Sequence, residues 1–284
     1  MNHIGVVGCG LMGSGIAQVC VQSGRRVSVV EIDEAVRTRG MKRIHTLLEK
    51  SRRRGVLTDE QCAAANDNIS ASNRLETLES CDLIIEAVTE RPDIKKSIFE
   101  KLDGIAPPKC IFASNTSSIS ITELASVTRR AERFVGMHFF NPVPVMKLVE
   151  IVRGVNTNDA TMDACTDFAR SIGKEPVVCR DTPAFIVNKL LVPYLLDAIR
   201  MLESGVATAE DIDAAMVHGT GYPMGPIRLI DYVGLDTACH VADVMYNELG
   251  ETRFKAPVLL RRLVEAGHYG RKTGRGFYDY ESKE

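Results

Sequence analysis

Six residues, Gly8-Cys9-Gly10-Leu11-Met12-Gly13, join an apolar strand pattern, His3 to Val7, to a helical pattern, Leu11 to Gln22. The next strand pattern, Val27 to Val30, follows at once. A chain that turns this sharply from strand into helix and back constrains its fold more than any other stretch of the sequence. Glycines at 8, 10 and 13 allow, in turn, a tight bend, close backbone approach to a phosphate, and close helix-to-strand packing. The helix start then offers unpaired N–H groups, which suit a pyrophosphate.

Glu31 ends the second strand pattern, 23 residues after Gly8. A carboxylate there accepts hydrogen bonds from both ribose hydroxyls of a dinucleotide and repels a 2′-phosphate, which favours NAD over NADP. Asp33 is a second acid on the same edge. Arg25 and Arg26 precede the strand and read as surface charge. Gly8, Gly10, Leu11, Met12, Gly13 and Glu31 are therefore the cofactor-binding candidates.

Downstream, Glu34 to Arg54 has helical spacing, and Thr58 with Gln61 fits a capping box for a short helix. Asn68–Ser70, Leu83–Ala87, Ile111–Ser114, Phe134–His138, Leu148–Ile151 and Val177–Cys179 read as short strands, with helical or turn-rich segments between them. This alternation predicts an α/β fold, a Rossmann-like domain with a mostly parallel sheet covered by helices on both faces. After Asp181-Thr182-Pro183 the strand signal stops. Phe185–Leu202, a helix opened by Thr208, Gly234–Leu249 and Pro257–Ala266 predict an all-helical C-terminal domain, so the expected domains are 1–181 and 182–284.

Composition narrows the function classes. At 284 residues, 45% hydrophobic and 25% charged, the chain is neither collagen-like, disordered nor membrane-spanning. Its formal net charge of −2 gives no global basic field for nucleic acid. The eight cysteines are dispersed without metal-ligand spacing, so no metal is expected and reduced thiols are. The start lacks a secretory signal and the C-terminal Glu-Ser-Lys-Glu is no recognisable address, which predicts a cytoplasmic protein.

One histidine stands apart. His138 closes an apolar strand and is followed by Phe139-Phe140-Asn141-Pro142-Val143-Pro144, whose two prolines forbid a continuing helix or central strand. The chain must turn, and Lys147-Leu148-Val149-Glu150-Ile151 can return as a second strand that brings Glu150 near His138. A carboxylate beside an imidazole fixes its tautomer and stabilises the imidazolium, as a general base for a hydroxyl proton requires. A buried structural His–Glu hydrogen bond is the competing reading, and the cofactor inference favours catalysis.

These residues resemble the 3-hydroxyacyl-CoA dehydrogenase family, and within it the single-function bacterial enzymes that act on 3-hydroxybutyryl-CoA. The likeness runs over nearly the whole chain. It rests on the glycine turn through Gln18, on Ala113-Ser114-Asn115-Thr116-Ser117-Ser118 and on His138-Phe139-Phe140-Asn141-Pro142. Tyr222-Pro223-Met224-Gly225-Pro226 and Arg271-Lys272-Thr273-Gly274-Arg275-Gly276-Phe277-Tyr278 match as well. The resemblance implies His138 as acid/base, Glu150 as its orienting partner, and Ser117 and Asn188 as hydrogen-bonding groups near the substrate oxygen. It adds Glu90, Lys95, Ser117 and Asn141 to the cofactor site. Ala184 and Lys189 depart from the family's Gly and Arg at those positions. Eight basic residues lie between Arg37 and Arg54 with one acid, Glu49, among them, and Lys50 and Arg54 stand one turn apart to meet the phosphates of coenzyme A. The family's helical domain implies a homodimer.

The expected reaction is NAD-dependent interconversion of a short-chain (S)-3-hydroxyacyl-CoA and its 3-ketoacyl-CoA. An oxidoreductase like L-gulonate 3-dehydrogenase and a non-catalytic NAD(H)-binding regulator are the alternatives, and the basic helix leans towards an acyl-CoA.

Overall fold

The computed structural model describes residues 1–280; the terminal Glu281-Ser282-Lys283-Glu284 lies outside the described residues. The chain divides into two compact units, the first Met1–Thr182 and the second beginning at Pro183.

The first unit is one eight-stranded sheet flanked by helices. In chain order its strands are β1 (His3–Val7), β2 (Arg26–Val30), β3 (Ile69–Ser72), β4 (Leu83–Glu86), β5 (Ile111–Ser114), β6 (Phe134–Phe139), β7 (Leu148–Arg153) and β8 (Glu175–Arg180). They lie in the order β3-β2-β1-β4-β5-β6-β7-β8, and only β6 and β7 are antiparallel neighbours. The buried strands β1, β4, β5 and β6 are near-continuous apolar runs, as a parallel sheet covered on both faces demands. From β1 the chain steps outward through β2 and β3, then returns to place β4 on the other side. The strand order therefore reverses between β1 and β4, and the crevice beyond their carboxyl ends is where such sheets bind ligands.

Helix α1 (Leu11–Gln22) packs on this sheet and on α2 (Glu34–Arg53). Asp33 caps α2 by accepting the Val36 N–H at 2.8 Å, and the Thr58–Gln61 capping box opens α3 (Asp59–Asp67). Such caps contribute about 1 kcal/mol each. Helix α4 (Pro92–Ile105) starts with proline at its first position, α5 (Ile121–Ala125) is short, and α6 (Asp159–Ser171) covers the β6–β8 side.

The second unit is helical among the described residues: α7 (Val187–Glu203), α8 (Ala209–Thr220), α9 (Pro226–Val233), α10 (Leu235–Leu249) and α11 (Val258–Glu265), around Leu195, Leu196, Ile199, Ile227, Ile230 and Met245. Among the described residues two isolated bridges, Gly270 to Arg275 and Arg275 to Asp279, lie outside named strands. The sequence predicts the first of these helices from Phe185, and it begins two residues later, at Val187. Ala184 and Phe185 have φ of 63° and 55°, a left-handed conformation that cannot belong to a helix. Helix α9, between the motif at 222–226 and Gly234, was not read from the sequence. Arg26 also belongs to β2 instead of preceding it, and β8 extends beyond Val177–Cys179 at both ends.

Candidate active site

The glycine turn follows β1 directly. Gly8 has φ of 100°, and a Cβ there would sit 2.7 Å from the Ala87 carbonyl oxygen; a Cβ on Gly13 would sit 1.9 Å from the Gly8 oxygen. These two glycines are required by the fold itself. Gly10 differs, because a Cβ there meets nothing within 4 Å. It is also the N-cap of α1 and supplies no side-chain bond to the first turn. The turn therefore keeps bare backbone facing open space at a helix N-terminus, which fits a dinucleotide's pyrophosphate. Leu11 is exposed and Met12 half-buried at the start of that helix.

A cleft of about 700 Å³ runs from this turn, lined among others by Gly8, Gly10, Glu31, Asp33, Val88 and Ile94. Glu31, the first residue after β2, is drawn onto the turn: Oε2 accepts the Cys9 N–H at 3.0 Å and Oε1 the Asp33 N–H at 3.1 Å. Asp33 commits one oxygen to capping α2, which leaves Glu31 the acid aimed at the turn. Burial, reinforced by the Glu31 charge, pushes the Cys9 thiol up to about 11, so this cysteine is a protonated, inert part of the turn.

At the ends of β4 and β5 lies a buried charge cluster. Lys95 Nζ is 2.6 Å from Glu86 Oε1 and 3.3 Å from Glu90 Oε2, and Lys95 and Glu86 are almost wholly buried. The other Glu90 oxygen accepts from the Thr116 hydroxyl at 2.6 Å and from the Ser117 N–H at 2.8 Å. The Ser117 hydroxyl lies 3.2 Å from the same oxygen. Burial by itself would raise the Glu90 pKa, but the Lys95 charge and the bonds from Thr116 and Ser117 outweigh it and hold the carboxyl below its ordinary value. The structure thus brings Glu90, Lys95 and Ser117 together, with Lys95 placed between two carboxylates.

His138 and Glu150 are directly opposed in the register of β6 and β7, so both side chains emerge on one face of the hairpin. Nδ1 of His138 is 2.7 Å from Glu150 Oε2, and both residues are buried. An ionised carboxylate only accepts, so Nδ1 carries the hydrogen of this bond. The Phe140 ring lies 4.4 Å from the imidazole, centre to centre. Behind the turn, the buried Lys174 ammonium binds the carbonyls of Val143 and, at 2.8 Å, Met146, which anchors the 142–146 loop. Asn115, not singled out as a site residue from sequence, accepts the Phe139 N–H at 2.9 Å and ties the exit of β5 to the end of β6. Asn141 is exposed on the loop leaving β6.

Asn188 is the second residue of α7 and half-buried. Lys50 is in the last turn of α2 and Arg54 follows it as C-cap, both exposed and without an ion pair among the described residues. Their neighbours differ: Arg52 binds Glu49 at 2.6 Å and Asp59 at 2.8 Å, and Arg53 binds Glu49 at 3.1 Å. Among the described residues no cluster of His, Cys, Asp or Glu could hold a metal, and no helix is long and apolar enough to cross a membrane.

A Rossmann-type sheet with an open glycine turn, an acid at the end of β2 and a buried imidazole–carboxylate pair defines a nucleotide-dependent oxidoreductase. Residues 3–182 match the family described as 3-hydroxyacyl-CoA dehydrogenase, NAD binding domain, and residues 185–280 match the C-terminal domain of the same family. The chain belongs to the 3-hydroxyacyl-CoA dehydrogenase family. It is 47% identical over 282 residues to a 3-hydroxybutyryl-CoA dehydrogenase of Mycobacterium tuberculosis, covering 99% of both chains. It is 44% identical to the human mitochondrial hydroxyacyl-coenzyme A dehydrogenase, over 99% of this chain and 92% of that one. The crystal structure of (S)-3-hydroxybutyryl-CoA dehydrogenase from Ralstonia eutropha superposes with a TM-score of 0.95 at 43% identity, covering 99% of this chain and 100% of the other. The chain is thus an NAD-dependent oxidoreductase of this family.

Proposed function

We propose that this chain interconverts (S)-3-hydroxybutyryl-CoA and its 3-ketoacyl-CoA counterpart with His138 as the acid/base. The observation that carries the reading is the 2.7 Å bond between His138 Nδ1 and Glu150 Oε2, in a chain of this family whose sheet also bears the open glycine turn. NAD(H), when bound, supplies the acceptor or donor of hydride at the substrate's C3. Gly8, Gly10, Leu11, Met12 and Gly13 cradle its pyrophosphate, Glu31 takes the ribose hydroxyls, and Glu90, Lys95, Ser117 and Asn141 line the rest of its site.

In the oxidative direction His138 Nε2 takes the 3-hydroxyl proton, while Glu150 stabilises the imidazolium that forms; in reduction the same nitrogen returns the proton to the oxygen. Ser117 and Asn188 serve as hydrogen-bonding groups near the substrate oxygen. Lys50 and Arg54 meet coenzyme A phosphates. The protein works as a cytoplasmic homodimer joined through its helical unit, which leaves Leu190, Met201, Val206 and Val258 exposed.

The test is turnover of acetoacetyl-CoA with NADH and with NADPH, and of 3-hydroxybutyryl-CoA and L-gulonate with NAD. Turnover of the CoA thioesters with NADH supports the reading. Turnover of L-gulonate alone overturns the substrate assignment.

A further inference from the structure

Glu86 is the last residue of β4, paired in register with Val7 of β1 on one side and Ser114 of β5 on the other. Its carboxylate is fully buried and takes no part in the proton chemistry above. Oε1 accepts from Lys95 Nζ at 2.6 Å and from the Val88 N–H at 2.7 Å, and Oε2 accepts from the Ser114 hydroxyl at 2.6 Å. A glutamine oxygen would accept from Lys95 and Val88, but its amide would face the Ser114 hydroxyl, which donates to Glu86 and itself accepts the Thr116 N–H at 3.2 Å. Glutamate therefore differs from glutamine here in two ways, as the acceptor for Ser114 and in its charge. The charge is the difference that reaches beyond these bonds.

With Glu86 in place, the group comprises two carboxylates and one ammonium, a formal charge of −1; without it, Lys95 and Glu90 form a neutral pair. The strand order β1-β4-β5-β6 sets where that charge lies. Neighbouring strands are about 4.8 Å apart, so the ends of β4 and β5 lie between Gly8, after β1, and His138, near the end of β6. A dinucleotide held at the glycine turn and reaching His138 crosses them. Its nicotinamide is cationic when oxidised and neutral when reduced.

We propose that Glu86 is a positioning residue that locks Lys95 between two carboxylates and leaves a net negative charge under the cofactor path, which shifts the balance of affinities between the two redox forms towards NAD+. This rests on the NAD(H) reading of the cleft and adds to it a residue that sets the preference between the two redox forms.

The test compares the dissociation constants of NAD+ and NADH, measured by calorimetry without acyl substrate, for wild type, Glu86→Gln and Ser114→Ala. Removing one unit of charge raises the Kd(NAD+)/Kd(NADH) ratio about three- to tenfold in Glu86→Gln, the range expected for a partly screened unit charge. Ser114→Ala loses a bond to the same carboxylate but no charge, and keeps the ratio within about twofold of wild type. Parallel changes in both constants, or an unmoved ratio, in Glu86→Gln overturn the proposal; so does an equal shift in Ser114→Ala. If Glu86→Gln does not fold, Glu86→Asp keeps the charge with a shorter side chain and must leave the ratio within about twofold of wild type; a shifted ratio there overturns the proposal. A wild type that binds neither cofactor defeats the NAD(H) reading itself, an outcome distinct from an unchanged ratio.

Discussion

His138 and Glu150 face one another across adjacent antiparallel strands, twelve residues apart in the chain, in the same register row and joined at 2.7 Å. The pairing follows from the hairpin: strands that run back on each other put opposed residues on one face, and a rigid sheet holds them there. If the imidazole is the acid/base, His138→Gln lowers kcat by about 10²–10⁴-fold, the usual contribution of a positioned proton carrier. The Kd for NADH stays within about twofold, because the glycine turn is untouched. Steady-state kinetics with acetoacetyl-CoA, alongside NADH titration, checks both; unchanged kcat removes His138 from the mechanism.

Glu150→Gln keeps an acceptor for Nδ1 and loses the charge that steadies the imidazolium. Its kcat is expected to fall by more than about tenfold while the KM for NADH changes little, since only the proton step requires that charge. Equal loss in every parameter, with a lowered melting temperature, points instead to a purely structural pair.

The three glycines of the turn separate folding from binding. Gly13→Ala drives a Cβ into the Gly8 carbonyl, so stability falls by more than about 2 kcal/mol. Gly10→Ala meets no protein atom, and its φ of −68° suits alanine. Thermal unfolding of Gly10→Ala should match wild type within about 1 kcal/mol while its NADH affinity drops at least about tenfold. An unfolded Gly10→Ala, or one that binds NADH normally, contradicts the assignment of that position to a phosphate.

The strands that carry the site were legible because a buried parallel strand is a bare apolar run, and the hairpin because prolines 142 and 144 force the chain to turn before Glu150. The charge cluster was legible in part: the resemblance names Glu90, Lys95 and Ser117 for the cofactor site, but Glu86 reads as the polar end of Leu83-Ile84-Ile85, and only tertiary packing places Lys95 between two carboxylates. The left-handed pair Ala184 and Phe185 was hidden in the residue types themselves, since neither announces positive φ; the family's glycine at 184 was the one pointer to it. Helix α9 is only eight residues long and set off by Gly225-Pro226 and Gly234, so turn signals masked it.

Glu90 makes acid sensitivity a test of the serine segment. Its pKa is held below the ordinary carboxylate value, so the stability it contributes is complete above the unfolded-state pKa of about 4.3 and is lost as pH falls through the folded value. Between pH 7 and pH 3 the wild type should lose more stability than Glu90→Gln, whose urea midpoint is lower at pH 7 but falls less steeply with acid. Parallel acid profiles for the two proteins would mean that Glu90 is not the group being titrated.

The basic end of α2 holds two kinds of cation. Arg52 and Arg53 are committed to acids, and through their bonds they hold Glu49 down to about 2. Lys50 and Arg54 have no such partner among the described residues, which leaves their charge to an incoming phosphate. Lys50→Ala and Arg54→Ala should each raise the KM for acetoacetyl-CoA about three- to tenfold, in line with a solvent-accessible charge-assisted contact. The KM for NADH should not move, and the effect should shrink as salt is raised, because screening weakens an exposed contact. Arg52→Ala is the control: it loses two ion pairs within the protein and leaves the KM for acetoacetyl-CoA unchanged. Equal KM changes in all three variants would indicate a general effect of helix charge, and no change in any of them would move the coenzyme A phosphates off this helix.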